Sequence, residues 1–363
     1  MKSIDVALQS NAYPVYLGAG LLGNTSLWRK HLGRGKVLVV SNDTVAPLYL
    51  DTLRQGLDRQ DCEVHVIPDG EQHKTVETWY GIIDRLVSVK ARRDSTVIAL
   101  GGGVVGDITG FAAASYMRGI RFLQVPTTLL AQVDASVGGK TGVNHAQGKN
   151  LVGAFYQPEA VFIDTATLET LEPREFNAGL AEVVKYGAIR DAAFFEWLEQ
   201  QSGAVHARDA QALEHLIHRS VRNKAEIVAQ DEKESGVRAL LNFGHSFGHA
   251  LETETAYQRF LHGEAVAIGM VVAAVLSESR ALCAAGTSGR LATLLKRFDL
   301  PVRIPPDLSV DDLATAMELD KKAVASGLRL ILLDAIGRAR IDDLSGENEI
   351  LEAMRGTRGA ETA

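Results

Sequence analysis

Only two cysteines, Cys62 and Cys283, occur in 363 residues, and they lie far apart outside any CxxC spacing. That excludes a disulfide framework and fits two free thiols in a reducing cytoplasm. Long apolar runs are also missing. The longest, Ala265–Leu276, is too short to span a bilayer and contains Gly269, so it reads as a buried helix. The opening Met1-Lys2-Ser3-Ile4-Asp5 lacks the apolar core of a signal peptide. There is no basic stripe: the net charge of -7 is spread along the chain, which argues against a nucleic-acid partner. An anionic small molecule is still admissible, because local lysine clusters can work within an acidic whole. No internal repeat or low-complexity tract is visible. What remains, 46% hydrophobic and 23% charged residues, is the composition of an ordinary water-facing enzyme long enough for two domains.

The apolar pattern divides the chain in two. Residues 5–17 predict an opening hairpin around Asn11 and Pro14. Lys36–Ser41, Glu63–Pro68, Thr96–Leu100, Phe122–Val125 and Ala160–Asp164 are short β-branched runs. They alternate with helical patterns over Val45–Gln60 and Thr75–Lys90. Such alternation predicts a parallel sheet covered by helices, with ligands at the carboxyl ends of its strands. Beyond Pro173 the periodicity is helical over Glu175–Glu199, Ala207–Glu232, Leu241–Thr255, Gly263–Ala285 and Ser288–Phe298. Only Leu328–Leu333 and Arg338–Ile341 read as strands, and Gly356–Ala363 reads as a frayed tail. The expected organisation is an α/β domain over 1–172 and a mainly α-helical domain over 173–363.

Within Leu241–Glu252, read as a helix, His245, His249 and Glu252 fall at i, i+4 and i+7 on one face, together with Asn242. Two histidines one turn apart can share a metal, or one can bind while the other handles a proton. A solvated helix face that carries two histidines by chance explains the pair equally well. His262, opening the next apolar helix, and Glu182, in the apolar stretch Leu180–Tyr186, shift the balance. Together they resemble a zinc site of one carboxylate and two imidazoles with a position left open. Lys185, one turn from Glu182, would be an ordinary surface ion pair except for its apolar neighbours.

Gly101–Asp107 satisfies GxGxxG after a strand and before a helix, the setting in which backbone amides approach a pyrophosphate. A tight structural turn would look the same. The acidic residue expected some twenty positions on is absent, since Pro126-Thr127-Thr128 stands there. Asp43 and the loop Asp69–Lys74 are the alternative holders of a ribose. Asp134–Thr141 imitates a phosphate loop, but Asp134 replaces its first glycine and no strand leads in. Lys140, Lys149, Lys185 and Arg118 are each ordinary surface charges alone; convergent, they suit an anion with phosphate and carboxylate groups.

As a set, Asp69–Lys74, Gly101–Gly119, Val125–Lys140, Gly148–Pro158, Phe176–Gly187, Asn223–Asp231, Leu240–Glu252 and His262–Gly269 resemble the 3-dehydroquinate synthase family, of the sugar phosphate cyclases. The resemblance spans most of the chain. It implies a Rossmann-like N-terminal domain carrying NAD, a helical C-terminal domain carrying a divalent metal (zinc, with cobalt as a substitute) and a homodimer. The implied metal ligands are Glu182, His245 and His262. NAD would meet Asp43, Asp69, Gly70, Glu71, Gln72, His73, Lys74, Gly103, Val104, Val105, Gly106, Asp107, Thr127, Thr128, Lys140, Lys149, Thr167, Leu168, Glu169 and Thr170. The substrate would meet Arg118, Asp134, Lys140, Asn150, Lys185, Lys224, Arg238, Asn242 and His249, with His249 shuttling protons and Glu252 reduced to a structural residue.

The implied reaction converts an anionic sugar phosphate, 3-deoxy-D-arabino-heptulosonate 7-phosphate, to 3-dehydroquinate and phosphate. It runs through transient oxidation by NAD, elimination of phosphate, re-reduction and intramolecular aldol closure, a step of the shikimate pathway. Enzymes resembling 2-epi-5-epi-valiolone synthase lack the second histidine of the pair and alter the preceding asparagine; Asn242 and His249 both stand here. One departure is Arg338, where the family often carries lysine. A metal-dependent alcohol or polyol dehydrogenase would instead yield net NADH, and an NAD-binding regulator would have lost part of the metal or basic set.

Overall fold

The computed structural model describes residues 1–8, 12–59, 61–323 and 329–359. Asn11, Gln60, Leu328 and the last four residues of the expected tail therefore lie outside the described residues. The chain forms two compact units, Met1–Glu172 with Leu213–Lys233, and Pro173–Ala212 with Glu234–Ala363.

The first unit is built on a seven-stranded sheet. Its strands are β1 (Lys2–Val6), β2 (Tyr13–Gly18), β3 (Val37–Asn42), β4 (Cys62–Ile67), β5 (Thr96–Gly101), β6 (Arg121–Pro126) and, beyond a separate hairpin of β7 (Lys140–His145) and β8 (Gly148–Phe155), β9 (Ala160–Asp164). The order is β1-β2-β9-β6-β5-β3-β4. The β1–β2 pair is antiparallel and every other pairing is parallel. Strands β3, β5 and β9 are buried along their whole length, which is why they read as continuous apolar runs rather than alternating ones. The alternation survives in where the side chains go. Leu38, Val40, Val97 and Ala99 pack with Ile82, Leu86, Ile108 and Ala112 on one face. Val37, Val39, Ile98 and Leu100 pack with Trp28, Leu53, Leu57 and Phe162 on the other.

Residues 213–233 belong to this unit, although helical periodicity alone put them with the second. The helix Ala210–Gln230 is tied to it by Lys2 to Glu214 at 2.9 Å and by Lys224 to Asp134 at 2.9 Å. Such pairings across long sequence distances leave no local mark.

The second unit holds the helices Pro173–Arg190, Ala192–His206, His245–Glu254, His262–Ser279, Thr287–Arg297, Val310–Ala323 and Glu347–Thr357, and the hairpin β10 (Leu330–Ala335)–β11 (Arg338–Asp342). The single helix expected over Glu175–Glu199 is broken at Asp191, whose carboxylate caps the second piece by accepting from the Phe194 N–H at 3.1 Å. The expected frayed tail is ordered through Gly359, because Thr357 is buried and Gly359 N–H donates to the Ile304 carbonyl at 2.8 Å. His262–Ser279 is the one helix among the described residues long and apolar enough to cross a membrane, and 72% of it is buried inside the protein. Glycine lets this helix meet its neighbours backbone to backbone. A Cβ on Gly269 would lie 2.0 Å from the Gly244 carbonyl oxygen, and one on Gly263 would lie 1.9 Å from that of Ala178. These two contacts draw three helices together at one end.

Candidate metal centre and cofactor cradle

The three helices so joined carry Glu182, His245 and His262. One ligand atom from each lies within 4.8 Å of the others. A tetrahedral zinc needs ligand atoms about 3.4 Å apart, so small side-chain adjustments close the set. Glu182 is buried, and among the described residues neither of its carboxylate oxygens has a hydrogen-bond donor, although the Lys185 ammonium ion-pairs with Oε2. Oε1 lies 3.8 Å from His245 Nε2. A buried carboxylate left without hydrogen bonds is costly unless a cation completes it. The imidazoles are oriented for the same task. His245 Nδ1 sits 3.3 Å from the Phe243 carbonyl, and His262 Nδ1 sits 3.4 Å from Glu252 Oε2. With both Nδ1 atoms as N–H donors, both Nε2 atoms are left as ligands. Burial, and then the positive charge of Lys185, hold the His245 imidazole neutral, well below its usual value. For His262, burial alone would act the same way, but the hydrogen bond and charge of Glu252 raise it instead. The residues present fit a divalent metal.

His249 follows one turn after His245, exposed, with its ring centroid 5.7 Å from His245 and 6.1 Å from His262. Asn242 does not share the helix. It ends the tight turn Val237–Asn242, and Gly244, at φ 82°, separates it from the first helical residue, His245. Its side-chain amide donates to Glu234 Oε1 at 2.9 Å, and Glu234 itself holds a left-handed φ of 59°. Sequence reasoning missed Glu234, which stands in a short charged run that looks solvated. Arg238 is buried on the same turn. Arg338 is exposed at the start of β11, 3.4 Å from Asp334.

In the first unit, β5 ends at Gly101 and the next helix, Gly103–Ser115, is capped by Gly102 without any side chain. Gly103 and Gly106 leave the first turn open, and a small cleft lies against it, lined by Gly102, Gly103, Gly106, Pro126, Ala131 and Ala135. The hydroxyl of Thr127, buried beside this turn, has no hydrogen-bond partner among the described residues, and its N–H donates to the Gly101 carbonyl at 3.0 Å. Open amides at a helix N-terminus and an unused buried hydroxyl fit a dinucleotide phosphate. Asp43 and Asp69 follow the ends of the neighbouring strands β3 and β4. Asp69 is held by Asn42 at 2.6 Å and Thr44 at 2.8 Å, and its N–H donates to Asp43 at 3.0 Å. In the loop after β4, Gly70 takes φ 110° ahead of the turn Glu71–His73, which includes Gln72.

Lys74 is buried, with Nζ 2.5 Å from Asp107 Oδ2 and 2.6 Å from Asn150 Oδ1. The charges of Asp107 and Glu71 raise the Lys74 ammonium against the opposite pull of its burial. Lys140 opens β7 instead of a helix, so the Gly139-Lys140-Thr141 run is no phosphate loop; Lys149 and Asn150 lie in β8. This hairpin, glycine-rich and half exposed, carried no strand signal. Lys224 is buried and donates to the Asp134 carbonyl at 2.6 Å as well as to its carboxylate. Thr128 Oγ1 accepts from Ala131 N–H at 3.2 Å. In the turn after β9, Tyr49 donates to the Thr167 carbonyl at 3.1 Å and contacts Thr170 Oγ1 at 2.5 Å, with Leu168 buried and Glu169 exposed. Arg118 is exposed at φ 65°, directly after Met117 at φ 49°.

An α/β unit with a glycine cradle and a helical unit with a carboxylate–two-histidine centre are the build of the sugar phosphate cyclases. Within that class the chain belongs to the 3-dehydroquinate synthase family. Residues 64–178 match its N-terminal domain and 179–323 its C-terminal domain. It is 54% identical to the 3-dehydroquinate synthase of Nitrosococcus oceani over 97% of this chain and 98% of that protein. To that of Methylococcus capsulatus it is 53% identical over 94% and 95%. Among solved structures, a 2-epi-5-epi-valiolone synthase from Streptomyces hygroscopicus subsp. jinggangensis, with NAD+ and Zn2+ bound, matches at TM-score 0.88 and 32% identity over 97% of this chain and 98% of that one.

Proposed function

We propose that this protein converts 3-deoxy-D-arabino-heptulosonate 7-phosphate to 3-dehydroquinate and phosphate, using NAD and a divalent metal, zinc or cobalt. The observation that carries the reading is the gathering of Glu182, His245 and His262, with His249 and Lys185 beside them. When bound, the metal supplies a Lewis acid for the substrate's alcohol and ketone, and NAD takes a hydride and returns it. Glu182, His245 and His262 hold the metal. Lys185 ion-pairs with the buried Glu182 carboxylate and presents a cation to an anionic substrate. His249, outside the ligand set and exposed, moves the proton. Arg118, Lys140, Asn150, Lys224, Arg238 and Asn242 neutralise and orient the substrate's phosphate and carboxylate.

On the first unit, the cradle Gly103–Asp107, Thr127, Thr128, Asp43, the loop 69–74, Lys149 and the turn 167–170 hold NAD. Asn242 and His249 favour this cyclase over its 2-epi-5-epi-valiolone relatives. The protein acts as a homodimer in the cytoplasm. In support, β8 pairs only with β7 among the described residues and leaves Leu151, Val152 and Phe155 exposed, an edge a second copy would cover. The two free cysteines accord with a reducing compartment. The test is phosphate release from the heptulosonate phosphate. Release should need NAD and stop with chelator, while NADH does not accumulate. Release indifferent to both, or net NADH formation, would sink the reading.

A further inference from the structure

Glu252 is an odd place for a carboxylate. It is 3% exposed, and it sits in the last turn of His245–Glu254, where the helix dipole disfavours negative charge. Burying an ionised carboxylate costs several kcal/mol unless partners offset it. Among its partners is His262, whose Nδ1 lies 3.4 Å from Glu252 Oε2. His262 is the first residue of a different helix, ten positions on, and its Nδ1 atom points away from the Glu182–His245 pair only if Nε2 faces it. Glu252 also falls into a second group with His249 and His262, with one ligand atom from each within 4.8 Å. Two assignments are therefore open for Glu252: a ligand in its own right, or the group that fixes His262. Its distance to Nδ1 favours the second, because an imidazole N–H facing a carboxylate oxygen is the arrangement that orients a ligating histidine.

We infer that Glu252 is a positioning residue for the metal centre: its carboxylate accepts the His262 Nδ1 proton, fixes the tautomer and ring plane, and so presents Nε2 beside Glu182 and His245. This rests on the metal-site reading given above. It gives the buried carboxylate a task that helix packing does not. Glutamine is nearly isosteric with glutamate, can still accept from Nδ1–H, and removes only the charge and the added basicity it confers on the ring. Partners of this kind are worth about 10- to 100-fold in metal affinity.

The test is zinc affinity of the full chain, measured by competition with a chromophoric chelator, together with the visible d–d spectrum of the cobalt(II)-loaded protein. Glu252→Gln should weaken zinc about 10- to 100-fold and perturb the cobalt bands. The melting temperature of the metal-free protein should stay unchanged, a combination that a packing role would not produce. Glu252→Asp, whose shorter arm keeps the charge but falls short of Nδ1, should weaken zinc at least as much as Glu252→Gln. Zinc affinity within twofold of wild type in Glu252→Gln overturns the inference. So does a loss as complete as that of Glu182→Gln, which would make Glu252 a ligand. If Glu182→Gln itself leaves zinc affinity untouched, it is the metal-site reading that fails.

Discussion

At the scale of single residues, long-range pairing decides function, and the sequence shows only half of each pair. The loop 69–74 can be read as a candidate ligand loop from its place after a strand. That Lys74 turns inward, to Asp107 and Asn150, is not, because those partners stand 33 and 76 positions away. The same holds for Glu252: its register on the His245 face could be counted, but its partner belonged to another helix. Lys74 thus acts as a strut that joins the glycine cradle to the β7–β8 hairpin. Lys74→Met keeps the apolar stem and strands the Asp107 carboxylate. Breaking a buried pair in this way costs about 3–5 kcal/mol. Asp107 keeps 23% of its side chain in water, so the lower end, about 3 kcal/mol, is expected in urea unfolding. A change below about 0.5 kcal/mol, the level of a surface substitution, would show that the pair does not hold the cradle.

At the scale of elements, the strands of the sheet were legible because they are buried on both faces and carry β-branched runs. The helices of the second unit were legible by periodicity. The hairpin β7–β8 was not, since its residues are glycine-rich and exposed, and neither were Val310–Ala323 and Glu347–Thr357. The break at Asp191 was hidden by the apolar residues on both sides of it. Sequence grouped Glu182, His245 and His262 as a candidate metal set, but the glycine crossing of the helices that carry them is invisible without coordinates of both partners. Gly269→Ala tests that crossing. Its Cβ would meet the Gly244 carbonyl oxygen at 2.0 Å, backbone that cannot rotate aside, one residue before His245. Overpacking of this kind costs about 3 kcal/mol, and the displaced helix should also lose zinc. Gly203, in Ala192–His206, has nothing within 4 Å of its missing Cβ. There the same change should leave zinc content alone and raise stability by up to about 1 kcal/mol. Equal zinc retention in both variants would refute the crossing as the organiser of the centre.

At the scale of the whole molecule, an acidic chain with scattered charge keeps several of its imidazoles out of water. Burying imidazoles leaves a signature in stability. His31 lies between Tyr16 and Phe162, with ring centroids 5.3 and 5.6 Å away, and its Nε2 is 3.0 Å from the Tyr16 hydroxyl. Burial lowers His31, and it lowers His65 and His218 in the same unit as well. Each is therefore protonated more readily in the unfolded chain than in the folded one. Above about pH 6.5 both states are neutral and their contribution is complete. As pH falls below that value the unfolded chain takes up protons first, and stability drains away until the lowered folded-state values are passed. The carboxylates lowered by ion pairs, such as Asp61, act only further down, below the usual carboxylate value. Between about pH 7.5 and pH 5.5 the urea midpoint should fall, and His31→Gln should shallow that fall by removing one of the lowered imidazoles, which also include His245. A slope that His31→Gln leaves unchanged would mean that His31 titrates alike in both states, and a midpoint that rises on acidification would mean that the folded chain takes up protons first.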